Sequence, residues 1–215
     1  MPPGVSPARP HFRRERALLR SGVWPVAGVD EAGRGPLAGP VAAAAVILNP
    51  DKLPKGLADS KVLSAAERDE LYERILSRAL AVAVAFSPAG EIDRINIRQA
   101  TFAAMCRALH ALPVRASHAL VDGNDLPAKL HCPGETIVKG DATSMSIAAA
   151  SIVAKVTRDR LMRRMHEAYP QYGFDQHMGY ATRAHREAIR VHGQCAIHRV
   201  SFAPFKPLPL FEGAV

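Results

Sequence analysis

Eight consecutive residues, Val41–Leu48, are all apolar, and this run constrains the fold more than any other stretch. A strand with one wet face alternates apolar and polar residues. A strand that is apolar throughout must be covered on both faces, which calls for helices above and below a sheet. The rest of the chain supplies both kinds of element. Val26-Ala27-Gly28-Val29 is a shorter apolar run that stops at Asp30, and residues 80–86 form another. In the latter, Leu80, Val82, Val84 and Phe86 alternate with Ala81, Ala83 and Ala85, so one face is bulky and the other small enough for a helix to approach closely. Ala119-Leu120-Val121, ending at Asp122, and Thr136-Ile137-Val138, ending just before Asp141, complete five predicted strands.

Helices fill the intervals. Ser64 and Glu67 form a capping box ahead of Leu71, Ile75 and Ala79. Asn96 can cap a second helix, in which Ile97, Thr101, Ala104, Met105, Ala108 and Leu112 fall at helical spacing. A long helix is expected from about 144 to about 167, and a last one over 183–191. The first three strands can pair as a meander, giving an α/β domain with a mixed sheet. One domain over 23–203 is expected, with a C-terminal helical segment. Residues 1–22, rich in Pro and Arg, read as a flexible basic arm, and 204–215 as an irregular tail.

Lys and Arg number 28 against 20 Asp and Glu, a formal charge of +8 that favours anionic partners, nucleic acid first. Three widely spaced cysteines, Cys106, Cys132 and Cys195, fit a reducing compartment better than a disulfide framework. No apolar run is long enough to cross a bilayer, and no secretory leader is evident, so a cytoplasmic setting is expected.

Acidic residues follow the strands: Asp30 and Glu31, Asp122, and Asp141. Turns are polar, so one such acid means little. Four at strand ends would converge on the crevice where α/β sheets bind ligands. There they would repel one another unless divalent cations sat between them, and hard ions such as Mg²⁺ or Mn²⁺ prefer oxygen ligands. Gly33-Arg34-Gly35-Pro36-Leu37-Ala38 satisfies the dinucleotide fingerprint, but Pro36, Gly39 and Pro40 interrupt and a strand follows instead of a helix. Glycine backbone can instead press against a sugar and address a 2′-hydroxyl. Aromatic and basic residues beyond 169 could serve stacking and phosphate contact, although core packing is the better account of Tyr172 and Phe174. Five histidines, His166, His177, His185, His192 and His198, lie in this region without the spacing or cysteine pair of a zinc site.

Taken together, several of these segments resemble ribonuclease HII. They are Asp30-Glu31-Ala32-Gly33-Arg34-Gly35-Pro36, Asp59-Ser60-Lys61, Ile95-Asn96-Ile97, Val121-Asp122-Gly123, Lys139-Gly140-Asp141, the 146–159 segment, and Tyr172 to His177 with Gly179-Tyr180. The similarity spans about 24–203. It implies the ribonuclease H-like fold, a five-stranded mixed sheet flanked by helices. It also implies an endonuclease that hydrolyses the RNA strand of RNA–DNA hybrids and cuts 5′ of ribonucleotides embedded in duplex DNA, leaving 5′-phosphate and 3′-hydroxyl ends. By the same resemblance Asp30, Glu31, Asp122 and Asp141 would be the catalytic, metal-binding acids of a two-metal mechanism using Mg²⁺ or Mn²⁺. Gly33, Arg34 and Gly35 would address the 2′-hydroxyl side, Tyr180 the sugar at the junction, and Lys61 and Asn96 the phosphate or the acids. The enzyme would act as a monomer without an obligate protein partner. The alternatives are another two-metal nuclease of this fold, of the HIII type or a junction resolvase, and a non-catalytic nucleic-acid-binding module. The short arm leaves no room for the extra substrate-binding domain of ribonuclease HIII.

Overall fold

The computed structural model describes residues 9–205; the expectations for 1–8 and 206–215 fall outside the described residues. Its elements run α1 (Arg13–Arg20), β1 (Val26–Ala32), β2 (Val41–Leu48), α2 (Ala65–Arg78), β3 (Ala79–Ser87), α3 (Ala89–Ile95) and α4 (Ile97–His110). They continue with β4 (His118–Asp122), β5 (Gly134–Ile137), α5 (Gly140–Thr143), α6 (Met145–Ala168), a 3₁₀ turn (Pro170–Tyr172), α7 (Phe174–His177) and α8 (Arg183–His192).

The five strands make one mixed sheet in the order β3-β2-β1-β4-β5. β1, β2 and β3 form the antiparallel meander, while β4 and β5 run parallel to β1 on its other side. β2 is buried at every position, as its composition demands. Its Ala44, Val46 and Leu48 face α6 together with Leu71 and Ile75 of α2, and its Ala43, Ala45 and Ile47 face Ala104, Met105, Ala108 and Leu109 of α4. The alternation along β3 sorts the same way: Ala81, Ala83 and Ala85 lie on the α4 side, Val82 and Val84 on the other. α6 lies almost on the backbone of β1. A Cβ at Gly28 would stand 2.1 Å from the Ser146 carbonyl carbon, so only glycine permits this approach.

The capping expectations hold. Ser64 and Glu67 bond reciprocally at the start of α2, and the Asn96 side chain accepts from the Gln99 N–H at the start of α4. Three expectations change. β1 runs on through Asp30 and Glu31 to Ala32, because the antiparallel pairing with β2 continues to Ala32 opposite Ala42. β5 ends at Ile137, leaving Val138 exposed, so Asp141 belongs to a single helical turn, α5, and not to a strand tip. Residues 13–20 of the supposed flexible arm are helical. Phe12 packs edge-on against Trp24, and Glu15 is fully buried, its Oε1 accepting from the Ser144 hydroxyl and from the Ser146 N–H and hydroxyl at the start of α6. Among the described residues no helix is long and apolar enough to span a membrane.

Candidate active site

The parallel register of β1 and β4 pairs Val29 with Val121, so the next residues, Asp30 and Asp122, emerge side by side where the two strands diverge. α5 brings in the third acid. The Gly140 N–H, at the start of this turn, donates to Asp122 Oδ1 at 2.7 Å, which ties Asp141 to Asp122. One carboxylate oxygen from each of Asp30, Asp122 and Asp141 lies within 4.8 Å of the others.

Two carboxylates at such a distance repel by roughly 3 kcal/mol at an effective dielectric of about 20. Asp30 is only 4% exposed. Burial, and then the charges of Glu31 and Asp122, hold its carboxyl well above the ordinary range, against hydrogen bonds from Ser151 and the Glu31 N–H. Asp122 is also raised, first by burial, while the Gly140 N–H works the other way. The donor set is hard oxygen, compressed and short of positive charge, and so it fits divalent cations. The ammonium of Lys61 reaches this cluster, its Nζ 2.8 Å from Asp141 Oδ2 and 3.8 Å from Asp59 Oδ1. That hydrogen bond to Asp141 raises the lysine pKa.

Glu31 stands apart from the trio. Alternation along β1 turns it to the opposite face from Asp30, where it pairs with Arg34 at 3.3 Å. Burial raises its pKa and the Arg34 guanidinium opposes the shift. It still borders the same cleft of about 410 Å³, which is lined by Asp30, Asp122, Gly33, Arg34, Gly35, Lys61 and Tyr180, and by Ser60, Arg68, Ser151, Lys155 and Arg158. The Tyr180 ring, 44% exposed, lies over Gly35, where an added Cβ would be 3.8 Å from Cε1. Asn96 does not line this cleft; its carboxamide is used in the cap of α4.

Two residues essential to this geometry received no role from the sequence, although Arg158 lies in the 146–159 segment that carries the resemblance. Arg158 and Arg199 are almost completely buried and donate to main-chain carbonyls only. Arg158 reaches Pro40, Ala38 and Met178; Arg199 reaches Gly39, Arg34 and Gly33. Burial, and then Arg158, pull Arg199 down to about 9, so its carbonyl set still meets a charged guanidinium at neutral pH. Gly33 has φ +89° and a Cβ there would stand 1.9 Å from Arg158 Nε. In the sequence, Arg199 looks like one more surface cation in a basic protein; only a run of inward-facing carbonyls reveals its task, and carbonyls leave no trace in sequence.

The chain is similar to known proteins along most of its length. The family model described as Ribonuclease HII matches residues 27–205. The chain is 58% identical over 202 residues to a ribonuclease HII of Sinorhizobium medicae, covering 94% of this chain and 93% of the relative. It is 55% identical over 201 residues to that of Brucella ovis, covering 93% and 91%. Among solved structures, ribonuclease H2 of Pyrococcus horikoshii superposes with a TM-score of 0.72 at 26% identity, covering 84% of this chain and 95% of that one. The chain therefore belongs to the ribonuclease HII family, endoribonucleases that act on RNA–DNA hybrids.

Proposed function

We propose that this enzyme cuts on the 5′ side of a ribonucleotide, whether in a hybrid or alone in duplex DNA, leaving 5′-phosphate and 3′-hydroxyl ends by a two-metal mechanism. The observation that carries the proposal is the meeting of Asp30, Asp122 and Asp141 oxygens within 4.8 Å of one another, beside a cleft that Asp30 and Asp122 line. These three, with Glu31 at the rim, would hold the ions, Mg²⁺ or Mn²⁺. When bound, such ions acidify a water, steady the departing oxygen and neutralise charge on the phosphate.

The remaining work falls to the chain itself. Asp30 is held in place by the Glu31 N–H at 2.7 Å, and Asp122 by the Gly140 N–H, so two of the acids are oriented before any ligand arrives. Lys61 balances Asp141 and, being largely exposed beyond that contact, can turn to a phosphate oxygen. Gly33, Arg34 and Gly35 offer backbone to a 2′-hydroxyl, and the Arg34 guanidinium, half exposed, is free to leave Glu31 for phosphate. Tyr180 forms the facing wall against the sugar. Asn96 supports this surface indirectly, through α4. The three cysteines are free thiols, in keeping with a cytoplasmic enzyme, and the reading requires no second subunit.

The test is an end-labelled DNA duplex carrying one ribonucleotide. Divalent metal should give a single cut 5′ to it, with none in EDTA and none in the all-DNA duplex. Asp141→Asn should lower the rate about a thousandfold, the several kcal/mol that metal chemistry contributes. Cleavage that persists in EDTA would sink the proposal, as would a preference for a four-way junction.

A further inference from the structure

Three separate segments meet at the wall of the cleft, and a single dipeptide reaches all of them. We propose that His198-Arg199 is a positioning element that fixes where the turn bearing Gly33, Arg34 and Gly35 stands relative to Tyr180. This rests on the reading of those residues as the ribose-contacting surface.

Arg199 forms one arm. Its Nη2 donates to Gly33 O at 2.6 Å, its Nη1 to Arg34 O at 2.8 Å and its Nε to Gly39 O at 2.9 Å. A guanidinium has several donors in one rigid plane and no acceptor, so it can hold several carbonyls at fixed mutual angles, which a lysine cannot. Its own backbone is locked to the same loop: the Arg199 N–H donates to Leu37 O and the Gly39 N–H to Ile197 O, both at 2.8 Å.

His198 forms the other arm. The Cys195 N–H donates to His198 Nδ1 at 2.9 Å, so the proton of this neutral ring sits on Nε2. That Nε2–H points at His185 Nε2, 3.1 Å away, which must accept. The His185 proton is then on Nδ1, where it donates to Tyr180 O at 2.9 Å. Each ring fixes the tautomer of the next, and the chain of bonds ends on the backbone of the residue that faces Gly35. His177 stacks on His185 with ring centres 4.4 Å apart and accepts from the Gly179 N–H, bracing the same turn. Both His185 and His198 are buried. The dipeptide is itself anchored: Asp93 of α3 accepts from the Val200 and Ser201 N–H groups.

The experiment is a double-mutant cycle on the full-length protein, with kcat and KM measured on the single-ribonucleotide duplex. His198→Gln should lower kcat/KM about 10- to 100-fold, the usual effect of moving a contact by about an ångström. Placed on top of Tyr180→Ala, the same change should cost less than about threefold, since the residue it acts through is gone. Arg199→Lys should show a loss of similar size with cooperative melting retained. Equal losses from His198→Gln in both backgrounds, or wild-type rates for Arg199→Lys, would overturn the proposal alone. An unchanged kcat/KM for Tyr180→Ala would overturn the ribose-contact reading, and the proposal with it. Nitrogen NMR of the wild-type imidazoles tests the network without any substitution. At pH 7 His198 should carry its proton on Nε2 and His185 on Nδ1, and the reverse pattern would refute the relay.

Discussion

Gly28 has no side chain, and none would fit. Adding one methyl group would drive it into the Ser146 carbonyl carbon, which is main chain of α6 and cannot swing aside. Gly28→Ala should therefore cost about 3 kcal/mol, at the upper end of ordinary overpacking, read as a lowered urea midpoint. Because Asp30 lies two residues along the same strand, activity should fall with it. Legibility in sequence divides among the residues on similar grounds. Asp30 and Asp122 could be read because each directly follows a buried apolar strand, and several such acids together are costly without cations; Asp141 was reached on the same reasoning although it lies on a helical turn beyond β5. Arg34, Tyr180 and Lys61 were reachable through the resemblance, and the structure places all three around the cleft. Asn96 belongs to the same motifs, yet its local signal as a helix cap describes its position better. The roles of Arg158 and Arg199 were hidden because their partners are backbone oxygens contributed by distant segments.

At the scale of elements, α1 is the informative case. Its sequence is dominated by arginine, with Ala17, Leu18 and Leu19 its apolar residues, and Leu18 packs against the cluster of Val26, Leu120, Ile137 and Ile147. A polar interaction also holds it: the Glu15 carboxylate at the N-terminus of α6, where unpaired N–H groups and the helix dipole favour negative charge. Glu15→Ala should cost roughly 2–3 kcal/mol, the scale of hydrogen bonds to a charged group, and should accelerate amide exchange at Ser146. Since α5 carries Asp141 and joins directly to α6, loss of this cap should also reduce cleavage. The strands and long helices were legible because each buries a periodic face. The strand limits near the acids were less so, since β1 continues as long as β2 offers pairing partners, whatever the polarity of its own residues.

For the molecule as a whole, acid stability follows from the histidine cluster. Burial, and then His185, hold His198 down to about 4 from an ordinary 6.5, and burial lowers His185 as well. His177, Cys195 and Tyr172 are titratable groups against this pair, while the Arg199 side chain points away toward the 33–39 carbonyls. Folded imidazoles stay neutral where unfolded ones take up protons, so their contribution is complete above about pH 6.5 and is lost as pH falls toward about 4. The raised acids Asp30, Glu31 and Asp122 work in the opposite sense, destabilising the fold as pH rises through their folded values. Urea midpoints should drop between pH 6.5 and 4 in the wild type, and by a smaller amount in His198→Gln. The order of these parts along the chain matters too. A ribosome releases Asp30, Asp122 and Asp141 before it releases Arg199, and domains begin to fold while synthesis continues. On the roles proposed above, a nascent chain would acquire its cutting groups first and its means of telling RNA from DNA last, so premature termination upstream of the His198-Arg199 pair would leave the acids in place and the discrimination missing.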